Sequence, residues 1–379
     1  MSLVSQRADQ ITGTARYTQE LIRELSRRDN GIRLHVIGNA DALAHLDGVI
    51  GAYARASAIS HTPPPNSRMI RAIFLVSPVG PRSVRTRRHF AHADVVHFPL
   101  TLMLPRTRRP TVVTLHDLLH HDRPEDFSRL QLAWRAQVYD RAARRADHVI
   151  TVSEHARARI IDRLGISEDR VHAVYHGVDA SRFQSTDRTR DEEIAQHLKL
   201  PGRFIFFPAS LWPHKNHLAL LEALAVSGLD DVSLVLSGAT FGRLAGFEVS
   251  AARLGVADRV HHIGFIPDDW LPTVYRRATG LAFPSLYEGF GIPPLEAMAS
   301  GCPVASTRCG ALAEICGDAI IELQPQSIEQ MAHAIRTLVT DEPLRSRLRE
   351  RGRRRVEQFS WARSADGHEA VYRLAAKVG

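Results

Sequence analysis

Short runs rich in valine and isoleucine alternate along the whole chain with stretches of helical periodicity, and that alternation permits few folds. Apolar runs of a few residues separated by helix-length segments are the pattern of βαβ units, whose crossovers keep the strands parallel and covered on both faces. In the first half these runs predict strands at 34–37, 95–97, 112–115, 148–152 and 171–174. Residues 14–27 read as an amphipathic helix, with Tyr17, Leu21, Ile22 and Leu25 on one face and Glu24 spaced to pair with Arg28. A strand ordinarily precedes such a helix, and only residues 2–5 are available, so either that strand is short or the chain start is truncated. A polar, charged stretch around 184–203, which reads as a linker plus a surface helix, separates this series from a second one at 204–208, 233–237, 260–263, 280–283, 304–306 and 319–321. The expected class is α/β, with two Rossmann-like doubly wound domains at 1–187 and 203–360 joined by a linker at 188–202. Such domains are expected to face a cleft at the carboxyl ends of their strands, where ligands gather.

At 379 residues the chain has room for two such cores. No stretch approaches the roughly 18 consecutive apolar residues that span a bilayer, and Arg7, Asp9 and Arg16 interrupt any leader-like run. Cys302, Cys309 and Cys316 recur every seven residues, a spacing that fits neither a zinc site nor paired disulfides. They are expected to be buried thiols in a reducing cytoplasm. The charge is uneven: residues 1–190 carry 29 Arg, no Lys and 19 acids, or +10, while the remainder carries −2, giving the total of +8. Arg82, Arg85, Arg87 and Arg88 form one dense cluster, and Arg106, Arg108 and Arg109 another. A basic face attracts anionic lipid, nucleic acid or a diphosphate-bearing acceptor, and an arginine-rich solvated surface is an equal reading. No aromatic-interleaved basic stripe or helix-turn-helix pattern points to nucleic acid.

The chemistry concentrates where the strand at 280–283 runs into Pro284-Ser285-Leu286-Tyr287-Glu288-Gly289-Phe290-Gly291-Ile292-Pro293-Pro294-Leu295-Glu296. Proline favours the first turn of a helix, and Gly301 before Pro303 ends it. The glycines therefore sit before a helix N-terminus, where free backbone N–H groups and the helix dipole favour oxygen-rich ligands. Glu288 at the strand end and Glu296 in the first helical turn are placed to bracket a polyhydroxyl, whose vicinal hydroxyls carboxylates accept well.

This stretch resembles the E-x7-E motif of the retaining, family 4 glycosyltransferases of the GT-B fold. The likeness extends through Phe290-Gly291, Glu296-Ala297-Met298 and Gly301-Cys302-Pro303-Val304. It implies that Glu288 contacts the transferred sugar, that Glu296 holds the nucleotide ribose, and that the amides of Phe290, Gly291 and Ile292 touch sugar hydroxyls. Residues 206–217, Phe-Phe-Pro-Ala-Ser-Leu-Trp-Pro-His-Lys-Asn-His, resemble the family's G-R-x-x-x-x-K-N segment, whose two cations neutralise the donor diphosphate. Lys215 matches the lysine, but Ser210 stands at the arginine. Only three lysines occur against 46 arginines, so a lysine at this position suits a compact, mobile point charge.

His116-Asp117, after the strand at 112–115, resembles the family's H-D pair; the likeness gives His116 a contact with the donor sugar near the reacting carbon, and Asp117 is read as mainly local support, since nothing in the sequence fixes where its carboxylate points. Thr12-Gly13-Thr14-Ala15-Arg16-Tyr17 resembles the entry to the first helix, where Gly13 lets backbone approach the phosphates. Gly264-Phe265-Ile266 is similar to the segment whose backbone frames the nucleobase. Residues 146–154, Tyr175-His176-Gly177-Val178-Asp179 and Phe359-Ser360-Trp361 match further family hallmarks, the last opening a helix at 361–379 that crosses back onto the first domain.

The resemblance thus implies transfer of a hexose with retention, Glu288 and Glu296 acting as binding groups rather than nucleophiles. His116, Glu288 and Lys215 are the expected catalytic set. No D-x-D motif or metal triad is evident, so a metal-independent enzyme without cofactors is expected. The segment around Lys215 looks most like mannosyltransferases of O-antigen and exopolysaccharide pathways, which points to GDP-mannose, with UDP-hexoses as the alternative donor. The expected partners are the nucleotide-sugar donor and a saccharide or polyprenyl-diphosphate-linked acceptor, at a cytoplasmic location with peripheral contact to the inner face of the membrane. A nucleotide-sugar 2-epimerase and an inactive sugar-binding paralogue are the rival readings.

Overall fold

The computed structural model describes residues 1–3, 13–38, 40–44, 46, 48–58, 90–103 and 107–378. Chain contacts divide it into two units, Met1–Gly177 with Trp361–Gly379, and Val178–Ser360. Val4, Ser5, Thr12, Arg82, Arg85, Arg87, Arg88 and Arg106 lie outside the described residues. Of the two arginine clusters, only Arg108 and Arg109 are described, both exposed.

In the first unit, β1 (Ser2–Leu3), β2 (Leu34–Gly38) and β3 (Ala54–Ala58) form one parallel sheet in the order β1-β2-β3. A second parallel sheet runs β4 (Val96–Phe98), β5 (Thr111–Thr114), β6 (His148–Thr151) and β7 (Val171–Ala173), and β1 lies beside β4. Strand β3 escapes a hydrophobic pattern because Ala-Arg-Ala-Ser-Ala is an edge strand with no fully buried residue. The helix Gly13–Leu25 buries Tyr17, Leu21, Ile22 and Leu25, and Arg28 pairs with Glu24 at 2.9 Å and Asp366 at 2.6 Å. Asp366 lies on the final helix, Trp361–Val378, whose Ala365, Val371 and Ala375 enter the first unit's cores. Gly367 lets that helix close on Val174, since a Cβ there would meet a Val174 methyl at 2.7 Å.

The second unit is one six-stranded parallel sheet: β8 (Phe204–Pro208), β9 (Ser233–Ser237), β10 (Val260–His262), β11 (Gly280–Phe283), β12 (Val304–Ser306) and β13 (Ile320–Glu322). Their spatial order is β10-β9-β8-β11-β12-β13. The strand order reverses between β8 and β11, and in open α/β sheets the crevice beyond the carboxyl ends at such a switch point takes the ligand. The stretch expected to be linker plus surface helix does carry a helix, Arg188–His197, which is capped by the Asp187 side chain and packs on the second unit. Arg276 holds its Asp191, and Phe183 is buried against Tyr275, so the boundary falls at Gly177 rather than at 187. A polar composition signals exposure and does not by itself separate a linker from a surface helix.

Candidate active site

Two loops leave the switch point of the second unit, one after β8 and one after β11. The β8 loop makes a short 3-10 turn, Pro213–Lys215, and Asn216 turns the chain into the helix His217–Ala225 with φ +61°. His217 secures the loop from inside: its ring donates to the Ala209 carbonyl at 3.1 Å, and burial lowers its pKa to about 4. Lys215 then reaches across to Glu288 of the β11 loop, Nζ to Oε1 at 2.5 Å, with the two side chains 18% and 12% exposed. The ammonium also lies 5.6 Å from the centre of the Phe283 ring. The loops are stitched by their backbones too, Leu286 N–H donating to the His214 carbonyl at 2.7 Å.

Gly291 caps the helix Ile292–Ala299 with φ +103°, and a Cβ there would strike Leu312 at 2.6 Å. Pro293 and Pro294 occupy the opening turn, which needs no N–H bonds. Glu296 lies beyond the first turn, correcting the expected placement. Its side chain does not hang free: it is 3% exposed and accepts a 2.9 Å hydrogen bond from the buried Tyr275 hydroxyl. A carboxylate held this way is pre-oriented, so less freedom is lost when it takes a ligand hydroxyl. The Phe290 side chain is buried against Phe359, leaving its backbone as the part that lines the loop.

Sequence reasoning overlooked the group that positions Glu288. Gly310, at φ +63°, sits directly on the Glu288 backbone: a Cβ would lie 2.3 Å from its carbonyl oxygen and 2.9 Å from its nitrogen. Ala311 N–H donates to the same carbonyl at 2.9 Å. The signal available was the Cys309-Gly310-Ala311 turn after β12. Tyr275 was equally hidden, because a tyrosine on a helix face reads as core. The loops after β8, β9 and β10 also converge. Ala239 N–H donates to Ser210 Oγ at 3.3 Å, Gly238 N–H to the Gly264 carbonyl at 3.0 Å, and Gly238 could carry no Cβ beside Ser210. This brings Ser210 and Gly264 together, with Ile266 buried and Phe265 64% exposed.

In the first unit His116 follows β5 at its carboxyl end. Its Nε2 donates to the Pro99 carbonyl at 3.1 Å, and burial lowers its pKa, so the ring is neutral with its Nδ1 lone pair available as an acceptor. Tyr17 meets this ring edge-on at 5.1 Å, and His176 lies 5.8 Å away. Behind them Tyr17 Oη bonds Thr114 at 3.0 Å and His368 of the last helix at 2.7 Å; His97 bonds Thr114 at 2.7 Å and Tyr372 at 2.8 Å. Burial holds His97 and His176 well below the usual histidine range, lowers His368 to about 4, and raises both tyrosines. Asp117 accepts from Leu119 N–H at 2.9 Å, the local supporting role expected of it. Gly13 opens the first helix with open space around it.

Cys302 and Cys316 are buried, and burial pushes both thiols up to about 12; Cys309 is only half-buried, so the expectation of three buried thiols holds for two. Among the described residues, one cluster has the composition of a metal site, His120, His121 and Asp140 in the first unit. No described helix is long and apolar enough to cross a membrane.

With a cation and two carboxylates on the loops at the second unit's switch point, and separately a histidine at a strand end of the first unit, the chain has the parts of a glycosyltransferase. Residues 11–182 match the family model for Glycosyltransferase Family 4, and residues 189–355 that for Glycosyl transferases group 1. The chain belongs to the family 4 glycosyltransferases of the GT-B fold. It is 30% identical to the MMP alpha-(1->4)-mannosyltransferase of Mycolicibacterium hassiacum over 72% of this chain and 67% of the relative. It is 24% identical to O-antigen chain mannosyltransferase B of Escherichia coli over 96% of both. Among solved structures it is similar to Anabaena HepE in complex with UDP and glucose, at a TM-score of 0.74 and 20% identity over 98% of each chain. It is likewise similar to WaaG, a glycosyltransferase involved in lipopolysaccharide biosynthesis, at a TM-score of 0.72 and 18% identity.

Proposed function

We propose that this glycosyltransferase moves mannose from GDP-mannose, with retention of configuration, onto a saccharide or polyprenyl-diphosphate-linked acceptor in cell-surface polysaccharide synthesis. The observation that carries the mechanistic part is the Lys215–Glu288 ion pair. A carboxylate neutralised by an ammonium is a poor nucleophile, which supports Glu288 as a group that binds the sugar rather than one that attacks it. Attack then comes from the acceptor: its hydroxyl oxygen bonds to the anomeric carbon on the face the diphosphate leaves. The carbon–oxygen bond to the diphosphate breaks, and the departing phosphate oxygen takes the hydroxyl proton.

Lys215 and the amides before the helix Ile292–Ala299 stabilise the charge that builds on the leaving group. His116 keeps the sugar-contacting role its motif implies, its neutral ring accepting a hydroxyl. The similarity to the two mannosyltransferases favours mannose. The HepE complex with UDP and glucose favours a UDP-hexose as the second reading. Transfer is proposed to need no metal, so turnover is expected to be unchanged by added magnesium or manganese.

A thermal-shift panel of UDP-, GDP- and ADP-sugars separates the donors: GDP-mannose is expected to give the largest stabilisation, and a larger shift with a UDP-hexose would overturn that assignment. NMR of the product's anomeric configuration tests retention, and an inverted product excludes it. Basic Arg108 and Arg109, with the cluster outside the described residues, support acceptor delivery at an anionic membrane face. Liposome co-sedimentation that ignores anionic lipid and salt would exclude it.

A further inference from the structure

The cluster of His120, His121 and Asp140 is not among the residues assigned to sugar transfer above, and its geometry is specific. Consecutive residues on a helix project about 100° apart, yet the rings of His120 and His121 lie 4.4 Å apart and turn the same atom toward one carboxylate. His120 Nε2 stands 3.0 Å from Asp140 Oδ1, and His121 Nε2 stands 2.9 Å from Oδ2. The carboxylate is delivered by a π-helical turn, Ala136–Asp140, a rare wide turn that recurs at functional sites. The ligand atoms all lie within 4.8 Å of one another, so side-chain adjustments of up to about 1.5 Å bring them to the roughly 3.3 Å separation of ligands about 2 Å from a tetrahedral ion. His120 and Asp140 are buried, while His121 is open to solvent on one side, leaving a position for water. Asp122, next in the chain, is locked by Arg159, which fixes the end of the short helix that presents both rings.

We propose that His120, His121 and Asp140 bind one divalent transition-metal ion of the zinc class, with water as the fourth ligand. Two imidazole nitrogens and one carboxylate oxygen suit zinc or cobalt better than magnesium or calcium, which prefer all-oxygen shells. The ion clips the helix Leu119–Asp122, whose first N–H is held by Asp117, to the segment 136–140, and so stiffens the chain that follows His116. Coordination through Nε2 moves each ring proton to Nδ1. In His120 that nitrogen is buried without a hydrogen-bond partner, which weakens the site about tenfold or more.

The test uses the full chain, stripped with chelator, then titrated with cobalt chloride and, in competition with a chromogenic chelator, with zinc chloride. One equivalent is expected, with visible cobalt absorption of a four-coordinate nitrogen–oxygen site and a zinc-dependent rise in the unfolding midpoint. His121→Ala and Asp140→Asn should abolish both. His121 is the partly exposed ligand, so His121→Ala is expected to fold, checked by circular dichroism and by retained nucleotide binding. The other close histidine pair, His148 Nδ1 and His172 Nε2 at 3.0 Å, is removed in a control that should still bind one equivalent. Equal metal binding by the native chain and His121→Ala, or loss of binding in the His148→Ala/His172→Ala control alone, overturns the proposal.

Discussion

Glu288→Gln should make the enzyme bind free nucleoside diphosphate more tightly while it turns over more slowly. In the structure Lys215 has its charge satisfied by Glu288 at 2.5 Å, and a diphosphate arriving at the β8 loop competes for that ammonium. The pair is 18% and 12% exposed, between the surface case, about 0.2–1 kcal/mol, and the buried case, where breaking a pair costs about 3–5 kcal/mol. A net coupling of about 1–2 kcal/mol is reasonable for that position, and glutamine removes it while keeping a hydrogen-bond acceptor. The released lysine then improves diphosphate affinity by about 5- to 30-fold, since about 1.36 kcal/mol is tenfold. Calorimetry with GDP and UDP on the native chain, Glu288→Gln and Lys215→Met provides the measurement. Lys215→Met should weaken binding in both backgrounds, and kcat should fall in Glu288→Gln because the sugar contact is lost. Unchanged or weaker diphosphate binding by Glu288→Gln refutes the competition and leaves the pair as a merely structural contact.

Glu296→Ala should mainly weaken nucleotide binding, by contrast with position 288; equal losses of free-nucleotide affinity for alanine variants at both positions would rule out the division of roles. Gly310→Ala places a methyl on the Glu288 backbone at a positive φ, so it should cost about 2 kcal/mol or more and depress donor binding, read by urea denaturation and calorimetry. Stability should fall with acid. His217 and His368 titrate near 4 when folded and near 6.5 when unfolded, so the unfolded chain binds more protons between those values. Their contribution is therefore full above pH 6.5 and lost as pH falls towards 4. Each adds a slope of at most about 1.4 kcal/mol per pH unit, and a flat urea-midpoint profile across that window would contradict it. Brief alkylation of the folded chain should label Cys309 well ahead of Cys302 and Cys316, whose thiols are buried and pushed up to about 12; equal labelling by mass spectrometry would refute the burial assignment.

Strand placement was legible because apolar runs of four or five residues between helical stretches have few other uses. Glu288, Lys215 and His116 stood out because the family-like motifs that carry them lie on segments that follow such runs, where a parallel sheet exposes its carboxyl ends. Short-range pattern also located Gly291, since the prolines after it mark a helix start. It could not register β3, whose small and charged residues lie on an exposed edge, nor assign the helix at 188–197 to the second unit, since the partner of Asp191, Arg276, is 85 positions away. Pairings of that reach depend on which strands become neighbours, and nothing local in the sequence encodes that. By itself the sequence determined the class of fold, the loops that follow the strands and the residue types on them. The tertiary structure alone decided what those residues do to one another. Lys215 is held by Glu288, Glu296 is pinned by Tyr275, and Gly310 lies under the Glu288 backbone, because strand order places separate loops at one switch point.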